Sequence, residues 1–248
     1  CDRCLAEEDN MCTVASRSLG VFQNGGYATH VVAPHARHLV DPGTVDPAVA
    51  ATYACSGVTV YSAIRKVMPL APHEPIVLVG AGGLGLSAIQ ILKALGHKAI
   101  VVVDLAADKR QAALEAGATA VVDASIEGTT QRIVDACGGP VLAVIDLVNG
   151  TATAAFAFAA LRKGGTLVQV GLFGGEMTLP LPLMAMRALS VRGSYVGNPK
   201  ELRELMALAQ NGGIVALPIT RVPAAQTNQA LHRLRDGTVT GRIVLTAA

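Results

Sequence analysis

Tryptophan is absent from this chain of 248 residues, all aromatic residues together make up 3%, and charged residues only 15%. No basic run is interleaved with aromatics and the formal net charge is +2, so the electrostatic and stacking features of a nucleic-acid binder are missing. Nucleic acid is not an expected partner. Neither end shows a signal peptide or a lipidation motif, and there is no long internal repeat and no low-complexity linker. One uncharged stretch, Pro75 to Leu92, is long enough to suggest a membrane span, but it holds several glycines, Ser87 and Gln90. A span there would also leave the next apolar strand without a partner, so no membrane association is expected. The five cysteines are an odd number and three fall within the first twelve residues, which suits metal ligation in a reducing compartment, the cytoplasm, better than disulfides. No initiator methionine precedes Cys1, where a motif is already under way, and the expectation is a fragment lacking its N-terminus.

What is present suits a buried α/β sheet, since 51% of the residues are hydrophobic. The organising stretch is Ile76 to Asp104. Ile76 to Val79 is a short apolar, β-branched run of the kind buried on both faces of a parallel sheet. Gly80, Gly82 and Gly85 follow at G-x-G-x-x-G spacing. The first allows a tight turn, the second lets the backbone approach a pyrophosphate, and the third lets the next helix pack against the strand. That helix should begin near Gly83, with Leu84 in its first turn, and its free N–H groups would face an anion. A second apolar strand ends in Asp104, about 20 residues past the glycine turn, where a carboxylate can accept hydrogen bonds from the adenosine ribose. The acid repels a 2′-phosphate, so NAD is expected over NADP, with Lys109 and Arg110 near enough to keep NADP open.

Elsewhere, Cys1, Cys4 and Cys12 form C-x2-C-x7-C, three of the four ligands of a structural zinc site. Asn24-Gly25-Gly26 signals a hairpin and Tyr27 to Val32 a strand. Cys55, in a nearly uncharged alanine-rich segment, reads from spacing alone as an inert core thiol, and Cys137 reads the same way. Further strands are expected at Thr119 to Val122, Val141 to Val148, Leu167 to Val170 and Leu189 to Ser194. Helices should cover Asp108 to Gly117, Ile126 to Cys137, Thr151 to Leu161, Glu201 to Gln210 and Val222 to Leu234, with a closing strand from Gly241 to Leu245. Strands alternating with helices make a doubly wound parallel sheet, with ligand at the carboxyl ends of its strands. Arg242 is as readily solvated as phosphate-binding, and the six histidines lack metal-binding spacing.

Taken together, the motifs resemble the zinc-dependent medium-chain alcohol dehydrogenases over the whole chain. Cys1, Cys4 and Cys12 look like the last three cysteines of that family's structural-zinc lobe, NGGYATHVV like its GGYAEY strand, and ACSGVTVYSA like the segment carrying a catalytic-zinc ligand. The resemblance implies a Rossmann domain inserted in a partial GroES-like, β-rich catalytic domain. The implied division is a catalytic portion at 1–56, a coenzyme domain at 57–193 and a return at 194–248. It also implies that Cys55 is a catalytic-zinc thiolate, reversing the reading from spacing, and that Thr59 flanks the nicotinamide. Asp104 and Lys109 would address the ribose, Val148 would lie against the cofactor, and Val170, Gly171, Leu172 and Ser194 would hold the carboxamide. Arg242 would pair with the pyrophosphate. The implied cofactors are NAD and zinc, the substrate a small alcohol or its carbonyl, and the assembly a homodimer or homotetramer. Two catalytic-zinc ligands and the first structural cysteine of the family pattern have no counterpart in these residues. A non-catalytic dinucleotide-binding module is the competing expectation.

Overall fold

The computed structural model describes residues 1–14 and 18–246. A short helix α1 (Asp2–Leu5) opens the chain, and a longer helical stretch begins at α2 (Pro47–Thr52), passes through a π-helical turn at Tyr53–Gly57 and continues as α3 (Val58–Arg65). Asp46 starts it, its carboxylate accepting from the N–H groups of Ala48 and Val49 ahead of Pro47 in the first turn.

The coenzyme-type sheet then forms from alternating units: β1 (Ile76–Val79), α4 (Gly83–Ala94), β2 (Ile100–Asp104), α5 (Ala107–Ala116), β3 (Ala120–Asp123), α6 (Thr129–Cys137), β4 (Val141–Asp146), α7 (Thr151–Ala159), β5 (Leu161–Gln169), α8 (Leu181–Met186) and β6 (Ser190–Gly193). Its order is β3-β2-β1-β4-β5-β6, with every pairing parallel. This is the Rossmann order, which reverses between β1 and β4 and opens a crevice at their carboxyl ends. Because side chains alternate along a strand, Ile76 and Leu78 enter one apolar layer while Val77 and Val79 enter the other. All four β1 residues are at most 2% exposed. Each such side chain contributes roughly 1.5–3 kcal/mol of burial. Helix α5 stops where Gly117 takes φ +107° and Ala118 N–H reaches back to Ala113 O.

The chain finishes with α9 (Pro199–Gln210), β7 (Ile219–Pro223), α10 (Thr227–Arg235) and β8 (Arg242–Thr246), where β7 and β8 form a separate parallel pair. Several expectations need correction. Tyr27 to Val32 is not a strand: among the described residues no ladder partner reaches it, and Tyr27 and Val32 stand exposed. In place of the hairpin there is one isolated bridge, between Leu19 and Gln23. β7 was not expected, and it displaces the start of the following helix from Val222 to Thr227. β5 begins six residues before the expected Leu167, with a register shift opposite Val141 and Ala143 that accommodates the glycine pair Gly164-Gly165. Among the described residues, no helix is long and apolar enough to cross a membrane.

Candidate functional site

The crevice at the reversal point is built from backbone first. Gly80 takes φ +99°, a region that glycine enters without strain, and turns the chain out of β1. A Cβ on Gly85 would lie 2.0 Å from the Gly80 carbonyl oxygen, so α4 packs against the turn at a distance only glycine permits. A Cβ on Gly82 would project into open space, the side on which a ligand can approach the backbone. Asp104, at the end of β2, clasps this loop by accepting the Ala81 N–H at 2.7 Å and, through its other oxygen, the Ala106 N–H at 2.9 Å. Lys109 is half-buried in the first turn of α5. Arg110, the other nearby cation, is engaged with Asp123 at 2.7 Å and with the carbonyls of Asp104 and Leu105. It is therefore not a free receptor for a 2′-phosphate.

Arg242, the first residue of β8, reaches across to the glycine turn. A Cβ on Gly83 would sit 2.6 Å from its Cζ and Nε, so the guanidinium lies flat on that backbone. Its Nε and Nη2 are buried and, among the described residues, have no hydrogen-bond partner. Burial pushes its pKa down from the ordinary range, with the nearby Cys55 thiol acting in the opposite direction. A buried cation with unpaired donors beside a helix N-terminus has the donor set of a pyrophosphate site. Dinucleotide binding fits these residues.

The opposite wall is organised by Asp146, the fully buried last residue of β4. One carboxylate oxygen accepts the N–H groups of Val148 (3.0 Å) and Asn149 (2.8 Å), and the other accepts the Thr153 hydroxyl at 2.7 Å. Its main-chain carbonyl accepts from Val170 at 2.9 Å and Gly171 at 3.2 Å. One residue thus ties Val148 to the Val170–Leu172 turn. Gly171 comes so close to Val148 that a Cβ would lie 2.2 Å from its carbonyl oxygen. Leu172 is 95% exposed, whereas the Ser194 hydroxyl just after β6 is buried and, among the described residues, unpaired. Asp146 drew no functional reading from sequence. Its only signal was a carboxylate inside an otherwise apolar strand.

Cys55 lies in the π-helical turn, a distortion found mostly at functional sites. Ser56 Oγ donates to Thr52 O at 2.8 Å and Thr59 Oγ1 to Cys55 O at 2.6 Å, so hydroxyls take up carbonyls on either side of the distortion. The Cys55 side chain is exposed and close enough to Arg242 to act on its charge. The thiol is therefore not packed in hydrocarbon. Cys137, by contrast, packs against the apolar layer formed by Ile133 and Val141, and burial pushes its pKa up to about 11.

The N-terminal cysteines converge. Cys1 Sγ lies 3.6 Å from Cys4 Sγ and 3.9 Å from Cys12 Sγ, and all three sulfurs fall within 4.8 Å of one another. Sulfurs at the corners of a zinc tetrahedron with bonds of about 2.3 Å are about 3.8 Å apart. The trio fits three corners of such a site.

A Rossmann sheet with a glycine cradle, an aligned ribose-type acid and a crossing arginine defines a dinucleotide-binding protein. The sequence model for zinc-binding dehydrogenases matches residues 83–211, and the chain belongs to that family, which makes it an oxidoreductase. An NAD-dependent alcohol dehydrogenase of Sulfurisphaera tokodaii is 35% identical over 249 residues, covering 99% of this chain and 71% of that protein. The crystal structure of an alcohol dehydrogenase from Aeropyrum pernix superimposes with a TM-score of 0.85 at 31% identity, covering 99% of this chain and 72% of that one. A cobalt- and zinc-bound alcohol dehydrogenase from Pyrobaculum aerophilum gives 0.84 at 27% identity, covering 99% and 71%.

Proposed function

We propose that the crevice binds NAD and that the protein moves a hydride between it and a primary or secondary alcohol, or the matching aldehyde or ketone. The observation that carries this reading is the Arg242 guanidinium lying on the glycine turn with two buried donors unpaired among the described residues, while Cys55 stands exposed in the π-helical turn. Zinc held there would supply Lewis acidity to the alcohol oxygen, and the nicotinamide ring would supply the hydride acceptor. The chain's own part is placement. Arg242 and the N–H groups of Gly83 and Leu84 hold the pyrophosphate; Asp104, with Lys109 alongside, takes the ribose. Val148 and Thr59 bound the nicotinamide, and Val170, Gly171, Leu172 and Ser194 receive its carboxamide. Cys1, Cys4 and Cys12 hold a second, structural zinc. The coenzyme part is 57–193, flanked by catalytic parts at 1–56 and 194–248.

The test is Cys55→Ala, with metal content and NADH binding measured beside turnover. Loss of the catalytic zinc and of turnover, with the structural zinc and NADH binding intact, is the expected outcome; retained turnover would contradict the role of this thiol.

One observation favours a second reading, a dinucleotide-binding module without turnover. Among the described residues, Cys55 belongs to no group of three metal ligands. NADH binding with no alcohol oxidation by the chain alone supports the module; measurable oxidation removes it. The three clustered thiols suit a reducing compartment, the cytoplasm. β6 presents a free sheet edge at Ser190, Arg192 and Gly193, suited to pairing in a homodimer or homotetramer. Light scattering that shows monomer alone would contradict that assembly.

A further inference from the structure

The turn that follows β6 is restrained from several directions. Ser194 N–H donates to Gln169 O at 2.9 Å, prolonging the ladder with β5. Val196 sits at φ +39°, a conformation that β-branched residues rarely adopt and that persists only where the surroundings over-determine it. A Cβ on Gly197 would lie 2.5 Å from Val58 Cγ2 and 2.9 Å from Val58 O, so the turn presses on the first residue of α3. Asn198 and Glu201 close a reciprocal cap at 2.8 and 3.0 Å that starts α9.

The last restraint comes from far away in sequence. Asn10, between Cys4 and Cys12, donates its side-chain Nδ2 to the Tyr195 carbonyl at 2.9 Å. Asn10 and Met11 also line one open cleft, about 770 Å³ in volume, together with Val170, Gly171 and Ser194. The cysteine lobe and the nicotinamide end of the crevice are therefore neighbours, joined at the main chain of Tyr195 by the Asn10 bond, while the Ser18 hydroxyl lies 3.3 Å from the Tyr195 hydroxyl. The Asn10 bond holds the Tyr195 carbonyl, between Ser194 and the strained Val196.

We propose that Asn10 is a positioning residue for the nicotinamide end of the coenzyme. Through the Tyr195 carbonyl it clamps the strained turn that presents Ser194, so the cysteine lobe acts on the cofactor as well as on stability. This rests on the assignment of Val170 to Leu172 and Ser194 as the carboxamide site.

The test compares NADH with ADP-ribose, which shares the adenosine and pyrophosphate but ends before the nicotinamide ring. Both are titrated into the full chain, as wild type, Asn10→Ala and Asn10→Asp; the aspartate keeps the volume but cannot donate. One lost hydrogen bond corresponds to weakening of about five-fold. Both variants should bind NADH more weakly by about that factor while ADP-ribose affinity stays at the wild-type value. The unchanged ADP-ribose binding also shows that each variant is folded. Equal weakening of the two ligands, or no change in either, would overturn the role of Asn10. If wild-type chain gains nothing from the nicotinamide ring, the carboxamide assignment falls and takes this inference with it. A wild-type margin that survives in both variants overturns the inference alone.

Discussion

Gly83 and Gly85 lie two residues apart in the first turn of α4, yet substituting them should have different consequences. A Cβ at 85 meets the Gly80 carbonyl at 2.0 Å, backbone against backbone. Gly85→Ala should therefore cost about 1–3 kcal/mol of stability or more, seen as a lower melting temperature. A Cβ at 83 meets only the flexible end of Arg242. Gly83→Ala should leave the melting temperature nearly unchanged and displace the guanidinium, weakening NADH binding by roughly ten-fold or more, the worth of a charge-assisted hydrogen bond. The sequence spacing identified Gly80, Gly82 and Gly85 by role. It placed Gly83 at the helix start facing the anion but gave no reason for a glycine there, because the group that demands one arrives from β8. Cys55 shows the same limit: its apolar neighbours suggest core, and only the π-helical turn brings the thiol to the surface.

At the scale of elements, a histidine buttresses the junction of α4 and β2. His97 is 5% exposed, follows the left-handed Gly96 and shares a 2.8 Å hydrogen bond with the Glu74 carbonyl; Glu74 in turn pairs with Arg162 at 2.8 Å. Burial lowers its pKa from the ordinary 6.5. The folded state therefore refuses a proton that the unfolded chain accepts. The stabilisation is complete above pH 6.5 and is lost as pH falls through the lowered folded pKa. Thermal melts from pH 7.5 down to 5 should fall more steeply for wild type than for His97→Gln; parallel curves would show that His97 is not the titrating group. The strands β1, β2 and β4 were legible because continuous apolar runs are the mark of two-sided burial. β7 was not, since Thr220 and Arg221 interrupt the pattern and Pro223 ends it, and the strand exists only because β8 returns beside it. Tyr27 to Val32 failed in the other direction. Its aromatic and β-branched residues are those of a strand, but a strand also needs a partner edge.

For the whole molecule, a doubly wound parallel sheet followed from the alternation of strands and helices, whereas its strand order and the contacts that join the ends of the chain to that sheet did not. Arg242 lies over Gly83, Asn10 bonds Tyr195, and Arg221 pairs with Asp46 at 2.8 Å. No periodicity encodes such contacts, and one of them, Arg242 on the glycine turn, belongs to the proposed site. Among them Arg242 is the most exacting, because a half-buried guanidinium with two buried donors unpaired among the described residues works against the free protein's stability. It is explained if an anion completes it. The most direct measurement is therefore an NADH titration of wild type and Arg242→Met, with a melt of each ligand-free protein. The account predicts that methionine leaves the free protein as stable or more stable while NADH binding weakens ten-fold or more. Unchanged NADH affinity in Arg242→Met would contradict it.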